Sequence, residues 1–565
     1  MTLNLLDKIG NWNPQLFREI KGRLKIGNMA IASALSLCGQ LLLFMYFSGQ
    51  IPVAPPDGKY INQISHKFCT FQVNVNAYSY RTICVRDALG NFAINWPKWW
   101  LEIFTWLSIL SVLALLVAGT YMLVSDLDKE ERRGTLNFIR LSPQSAKTIF
   151  LGKILGVPIL LYLATILTVP LHLYAGLAAQ IPLNEILCFY IAVAASCALF
   201  YSSAMLFGLT TSWLGGFQPW LASATVFVVF GMSAIQLSRT AWDLLTFLSP
   251  IPILRYLIFG VGVNNNHAFH WLAADLDKLQ WFYSPVGTNI ASFLALSLLV
   301  CGTATYWLWQ GWQRRFPNPS ATVLSKRQSY LVVICCQVII LGFALQSNPI
   351  AGCNISALLI FNLLIFLALI AALTSERQSL YDWARYRKQI VPSNQKLWRR
   401  YPLLDLIWSD KSPAVVAIAI NFLSSVIILT PWALLEKPEI NGFCGVIGCL
   451  NLILIYAGIA QIFLFTKTRN HEIWAVGAVG SAILLPPLIL SMLLSMPLLT
   501  LVEAPIFWLS SVFGVGFSSS LTAVSGNTIL LSILSQWTVL VLLNLKLRSQ
   551  LRLAGESASK ALLKA

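Results

Sequence analysis

Charge is what this sequence has least of. Of 565 residues only 11% are Asp, Glu, Lys or Arg and 22 are acidic, whereas 57% are hydrophobic and the mean hydropathy is +0.69. A soluble fold of this size needs far more charged surface, so a globular soluble protein is excluded. Carboxylates are nearly missing from the apolar runs: Glu102 stands at the mouth of one, as does Lys153 at another, and His172 lies well along a third. Proton- and sodium-coupled carriers generally keep an ionisable group in mid-membrane, so a twelve-span secondary active transporter is the weaker alternative. Histidine is scarce as well, with five in the chain. An intramembrane transferase would cluster His, Asp or Glu at one membrane face. Only 264–277 approaches this, with His267, His270, Asp275 and Asp277. There Phe269, Trp271, Leu272, Leu276 and Leu279 read as the apolar face of a surface helix rather than the surroundings of a metal. No GxxxxGK[ST] loop occurs and no basic connection exceeds about forty residues, so the chain carries no nucleotide site and reads as no enzyme.

What remains is apolar sequence in membrane-length pieces. Runs of about 20 apolar residues, enough to cross a bilayer, recur near 28–49, 100–124, 149–180, 185–211, 213–236, 287–311, 329–347, 354–374, 413–434, 444–465, 474–497 and 526–545. The expected fold is therefore an all-α polytopic membrane protein of about 12 transmembrane helices. The apolar stretch 498–525, broken by Glu503, Pro505 and several Gly and Ser, reads as a re-entrant or interfacial outer hairpin. The net charge of +17 is topological. With both termini inside, 30 Lys and Arg, counting Lys153 at a span mouth, fall in the alternate connections 1–27, 125–148, 312–328, 375–412, 466–473 and the tail from Lys546, against 9 outside. This is the positive-inside pattern, and nucleic acid is not implied. The first run starts too late and runs too long for a cleavable signal; the expected location is a bacterial cytoplasmic (inner) membrane, as an integral multi-pass protein.

Residues 1–27 read as an elbow on the cytoplasmic face. Asn13-Pro14 pairs an N-cap with a first-turn proline. Leu16, Phe17, Ile20 and Leu24 form one face; Arg18, Lys21, Arg23 and Lys25 form the other and suit anionic headgroups. The outer loop 50–98 holds an alternating FQVNVNAYSY stretch, expected to form a short β-hairpin, and ends in Trp96, Trp99 and Trp100, an interface belt. Cys69 and Cys84 share this loop and can bridge in an oxidising compartment. Polar Gln40, Asn362, Asn421 and Gln461 are expected to bond between helices.

The densest signal is 125–155, SDLDKEERRGTLNFIRLSPQSAKTIFLGKIL. Ser125 can cap a helix with Asp126, Asp128 and Glu130 in its first turn. Arg132 and Arg133 follow; Gly134 breaks the helix; Thr135 opens a second short one through Leu136, Phe138, Ile139 and Leu141. Ser142-Pro143 then restarts the chain, and Gly152-Lys153 lies just inside the next span. This order of acids, GTL turn, proline and LGK entry resembles the segment after the second span of type-2 ABC exporter permeases. The resemblance covers about residues 12–160, with the span order following to about 316.

The resemblance implies that the segment is a coupling helix docking on a separate ABC ATP-binding subunit. Its contact residues would be Glu130, Glu131, Arg132, Arg133, Gly134, Leu136, Ile139 and Arg140. It also implies outer re-entrant helices in 237–286, alternating access driven by ATP through that partner, and assembly with a second permease or a second copy. No cofactor is expected in this chain, and uncharged spans suit a lipid-like or hydrophobic cargo. Residues 28–316 would be one six-span permease unit with outer loops 50–98 and 237–286. Residues 317–565 hold about six more spans. They read either as a second, divergent unit, whose connector 375–412 follows the eighth span, or as a truncated copy in which 401–420 matches 13–32.

Overall fold

The protein is described as a computed structural model covering residues 8–53, 67–76, 79–85, 87, 91–234, 239–259, 276–347, 351–374, 377–390, 402–436, 440–466, 471–494 and 526–554. The expected surface helix over 269–279, for the most part, and the hairpin at 498–525 fall outside these residues, as do His267, His270 and Asp275.

Eleven described helices are long and apolar enough to cross a membrane, and two bent pairs raise the number to as many as 13. Each of the twelve expected spans has its helix. In chain order the elements begin with α1 (Pro14–Arg23), α2 (Ile26–Ser48), β1 (Phe71–Asn76), β2 (Ser79–Cys84) and a long α3 (Trp96–Arg132). Then come α4 (Thr135–Arg140), α5 (Ala146–Gly156), α6 (Ile159–Ala178), α7 (Leu183–Thr210), α8 (Gln218–Ala234), a 3-10 segment (Ala241–Leu248), α9 (Ile251–Phe259) and α10 (Ile290–Arg315). The remainder comprises α11 (Lys326–Ala344), α12 (Ala351–Leu373), α13 (Arg377–Ile390), α14 (Pro402–Trp408), α15 (Val415–Glu436), α16 (Ile440–Leu464), α17 (His471–Leu494) and α18 (Gly526–Ala554).

Local sequence explains several boundaries. Asn13 caps α1 by accepting from the Leu16 N–H, with Pro14 in the first turn. Asn95 does the same for α3, accepting from Lys98 N–H. Ser325 and Gln328 form a reciprocal capping box on α11. The outer loop holds the expected hairpin: β1 and β2 are antiparallel, with Phe71 opposite Cys84 and Asn76 opposite Ser79. Cys69 and Cys84 are joined as a disulfide and pack with Phe92.

By contact the chain divides into two units. One is Met1–Gln236, Leu245–Lys278 and Val286–Leu308; the other is Leu237–Leu244, Leu279–Pro285 and Trp309–Ala565. In the first, α3 packs on α6, α7 and α8. A single π turn, Ala114–Ala118, interrupts it. Such a turn displaces backbone carbonyls from their normal partners. Tyr201 of α7 donates to Leu115 O at 2.7 Å, and Ser223 of α8 donates to Val117 O at 3.2 Å. Ala241–Leu248 and Ile251–Ile258 meet at 84°, a broken or re-entrant pair where short outer helices were expected.

In the second unit α16 packs on α15, α17 and α18, around buried Phe366, Ile418, Ile453 and Tyr456. Three of the four polar residues expected to tie helices do so. Gln40 donates to Leu167 O, Asn362 accepts from Gln337 at 2.7 Å, and Asn421 donates to Ser329 at 3.1 Å. Gln461 is buried with its Oε1 unsatisfied.

Candidate functional site

The charged residues of the first unit converge where α1, the end of α3 and α5 meet. The approach begins with glycine. A Cβ on Gly152 would lie 2.8 Å from the Leu16 nitrogen, and one on Gly156 would lie 2.5 Å from Glu19 Cβ. Four residues apart on one face of α5, these glycines let the α1 helix lie directly against it. Asn13 secures the seat by donating from Nδ2 to Thr148 O at 2.9 Å.

Between the two glycines stands Lys153, whose side chain is 0% exposed. Its ammonium donates to Asp126 at 2.6 Å and lies 2.7 Å from Glu130 and 3.8 Å from Glu19. Asp126 and Glu130 are one helical turn apart, so both reach it from α3. Arg23 of α1 pairs with Asp126 and, at 3.1 Å, with Glu19; Arg18 pairs with Glu130 at 2.7 Å. Three cations thus face three carboxylates. The three carboxylates compensate the burial of the ammonium, which a lone buried charge would not survive. Glu19, Asp126 and Glu130 lie close enough together to hold a metal ion, but the lysine ammonium occupies that position.

Several expectations are corrected here. Ser125 does not cap a helix: α3 continues unbroken to Arg132, because nothing before Gly134 breaks it and Leu123, Val124 and Leu127 extend its buried face. Gly134, at φ +70°, makes the expected turn and is itself the N-cap of α4, while Thr135 Oγ1 donates back to Glu130 O at 3.2 Å. Ser142-Pro143 does not open the next helix; Ser145 caps α5, accepting from Thr148 N–H. Arg18 and Arg23 are engaged by carboxylates rather than facing outward alone, whereas Lys21 and Lys25 are exposed.

The contact residues implied by the resemblance separate into two groups. Glu130 is turned inward to Lys153 and Arg18. Leu136 and Ile139 are 2% and 7% exposed, so they pack α4 against its own chain and are not free to contact a partner. The exposed apolar side chains are Phe138 at 76% and Leu141 at 84%. Glu131, Arg132 and Arg133 are also exposed; Arg132 pairs with Asp128 at 3.0 Å, and Arg140 donates to Asn137 at 2.9 Å.

Sequence reasoning missed Glu19 and the pairing itself. The signals available were the four-residue spacings Asp126/Glu130 and Gly152/Gly156, which mark one-face contacts without naming their partners. His172 is buried as a satisfied histidine, bonded to Ser108 at 2.7 Å and Tyr190 at 2.8 Å. Comparison with known protein families, curated proteins and solved structures finds no match.

Proposed function

We propose that this multi-pass protein is the permease of an ATP-driven ABC exporter whose ATPase is a separate polypeptide. The observation that carries the reading is the junction around Lys153. It fastens the elbow α1, the end of the α3 span and the entry helix α5 into one charged, glycine-seated body. From that body α4 projects on the Gly134 turn with Phe138 and Leu141 outward. A partner that pushes on α4 then moves three elements together, as a coupling segment requires. Alternating access follows if ATP-driven closure of the partner contacts α4 differently in its two states. In this reading α4 lies on the cytoplasmic side of a bacterial inner membrane, where ATP is, and the distribution of Lys and Arg supports that side. The second copy or second permease, and a lipid-like or hydrophobic cargo, belong to the same proposal.

The test uses the exposed pair. Phe138→Asp with Leu141→Asp should abolish co-purification of the ATPase subunit and ATP-dependent transport, since charging apolar groups at an interface costs several kcal/mol. Expression and insertion should be unchanged, because neither side chain is buried in the chain. Full partner retention and transport by that double variant would defeat the proposal. The chain alone should hydrolyse no ATP, and hydrolysis that persists through rigorous purification would defeat it equally.

A further inference from the structure

The second unit holds a cavity that the export reading does not use. It has a volume of about 120 Å³ and lies where α15, α16 and α18 meet, walled by Ala419, Leu454, Gly458, Leu543 and Leu547. The one polar lining residue is Asn544, whose Nδ2 is spent on its own helix, donating to Leu540 O at 2.9 Å. Such walls offer water little. Apolar cavities of roughly 150 Å³ stay dry and take hydrocarbon. Gly458 keeps the space open: a Cβ there would already stand 3.4 Å from Leu543 Cδ1. Lining residue Asn544 is exposed, so the cavity reaches the surface of this unit beside α18.

The end of the cavity nearest Val415 and Leu547 carries the charge. These two lining residues also pack with Leu380 and Tyr381 of α13, so the seat of that helix continues the cavity wall. In sequence, four exposed cations lie next to these residues: Arg385 one turn beyond Tyr381 on α13, Lys411 four positions before Val415, and Lys546 and Arg548 on either side of Leu547. Among the described acids nearby, Asp410 is paired with Arg314 at 2.6 Å and accepts from the Lys326 N–H, whereas Asp405, which accepts from Trp383 at 2.7 Å, and exposed Asp382 keep their charges, which leaves the four cations in excess.

We propose that this is a binding site for an anionic phospholipid, a few methylenes of one acyl chain in the α15/α16/α18 cavity and the headgroup phosphate on the collar of Arg385, Lys411, Lys546 and Arg548. An apolar slot open to lipid, ending at a basic rim, matches the two halves of such a molecule. The site is independent of the ATPase and of cargo.

The experiment is native mass spectrometry of the full chain, released from nanodiscs of equimolar phosphatidylglycerol and phosphatidylcholine. Wild type should retain one phosphatidylglycerol with at least a tenfold preference. Gly458→Leu, which fills the slot, should lose the retained lipid. Gly480→Leu, where a Cβ meets nothing within 4 Å, should keep it. Lys546→Gln with Arg548→Gln should drop the preference to near parity. Should Gly458→Leu fail to fold, Gly458→Ala narrows the slot more gently and should cut retention several-fold. Equal retention of the two lipids by wild type, or wild-type retention when Gly458 is substituted, would overturn the assignment.

Discussion

Lys153 carries the junction on a single side chain, and its burial sets the consequence of losing it. Replacing one partner of a buried ion pair leaves the others uncompensated in a low dielectric, at a cost of roughly 3–5 kcal/mol. Lys153→Met keeps the length and removes the charge, leaving Asp126 and Glu130 with only the arginines of α1. We expect a steep fall in folded yield and in the thermal unfolding temperature of the purified protein. Adding Asp126→Asn restores the charge balance and should recover part of the loss, because the residual groups are two cations and two carboxylates. If Lys153→Met melts like wild type, the cluster is not what binds α1 to α5. The residues of this site were legible as types and illegible as partners. Arg18 and Glu130 are 112 positions apart, and no local periodicity reports a contact at that separation. The elbow shows the same limit: its basic face was read as lipid-facing because anionic headgroups are the default partner of such a face. Carboxylates from α3 take two of its four cations instead.

Elements were more legible than contacts, since each is written in a few consecutive residues. Asn13-Pro14 and Gly134 gave true boundaries, and the alternation in FQVNVN gave a true strand. Ser125 misled because an N-cap residue opens a new helix only where the preceding helical pattern stops, and here the apolar face runs on beneath it. The π turn of α3 left no sequence signal, as ALLVA is ordinary helical sequence. It is set by packing: Gly119 leaves room for the Tyr201 ring, and the Tyr201 hydroxyl donates to the Leu115 carbonyl, which also accepts from the Gly119 N–H. Tyr201→Phe removes that donor and should cost about 0.5–1.5 kcal/mol, the net worth of one hydrogen bond to a carbonyl that keeps its backbone partner. Gly119→Ala should cost more, since a Cβ there collides with the tyrosine. Both are read as shifts in thermal unfolding, and an unshifted Tyr201→Phe protein would mean that the π turn needs no clamp.

At the scale of the whole molecule, composition already decides that the chain is a polytopic membrane protein, because insertion depends on summed hydropathy and not on pairing. Orientation rests on a different quantity, the distribution of Lys and Arg among connections. Residues 125–148 and the segment 375–412 lie among the basic connections, while the hairpin loop 50–98 lies among the poor ones. The bias is spread along the entire chain, so no single substitution should reverse it. Single cysteines placed at Lys147, exposed near the start of α5, and at Asp87, exposed in the outer loop, should then report opposite sides. In intact cells a membrane-impermeant maleimide should label Asp87→Cys and reach Lys147→Cys only after permeabilisation. Labelling of both from outside would remove α4 from the compartment that holds ATP. The junction around Lys153 would still bind α1, α3 and α5 together, but an ATPase could no longer reach it, and the export proposal would fall on topology alone.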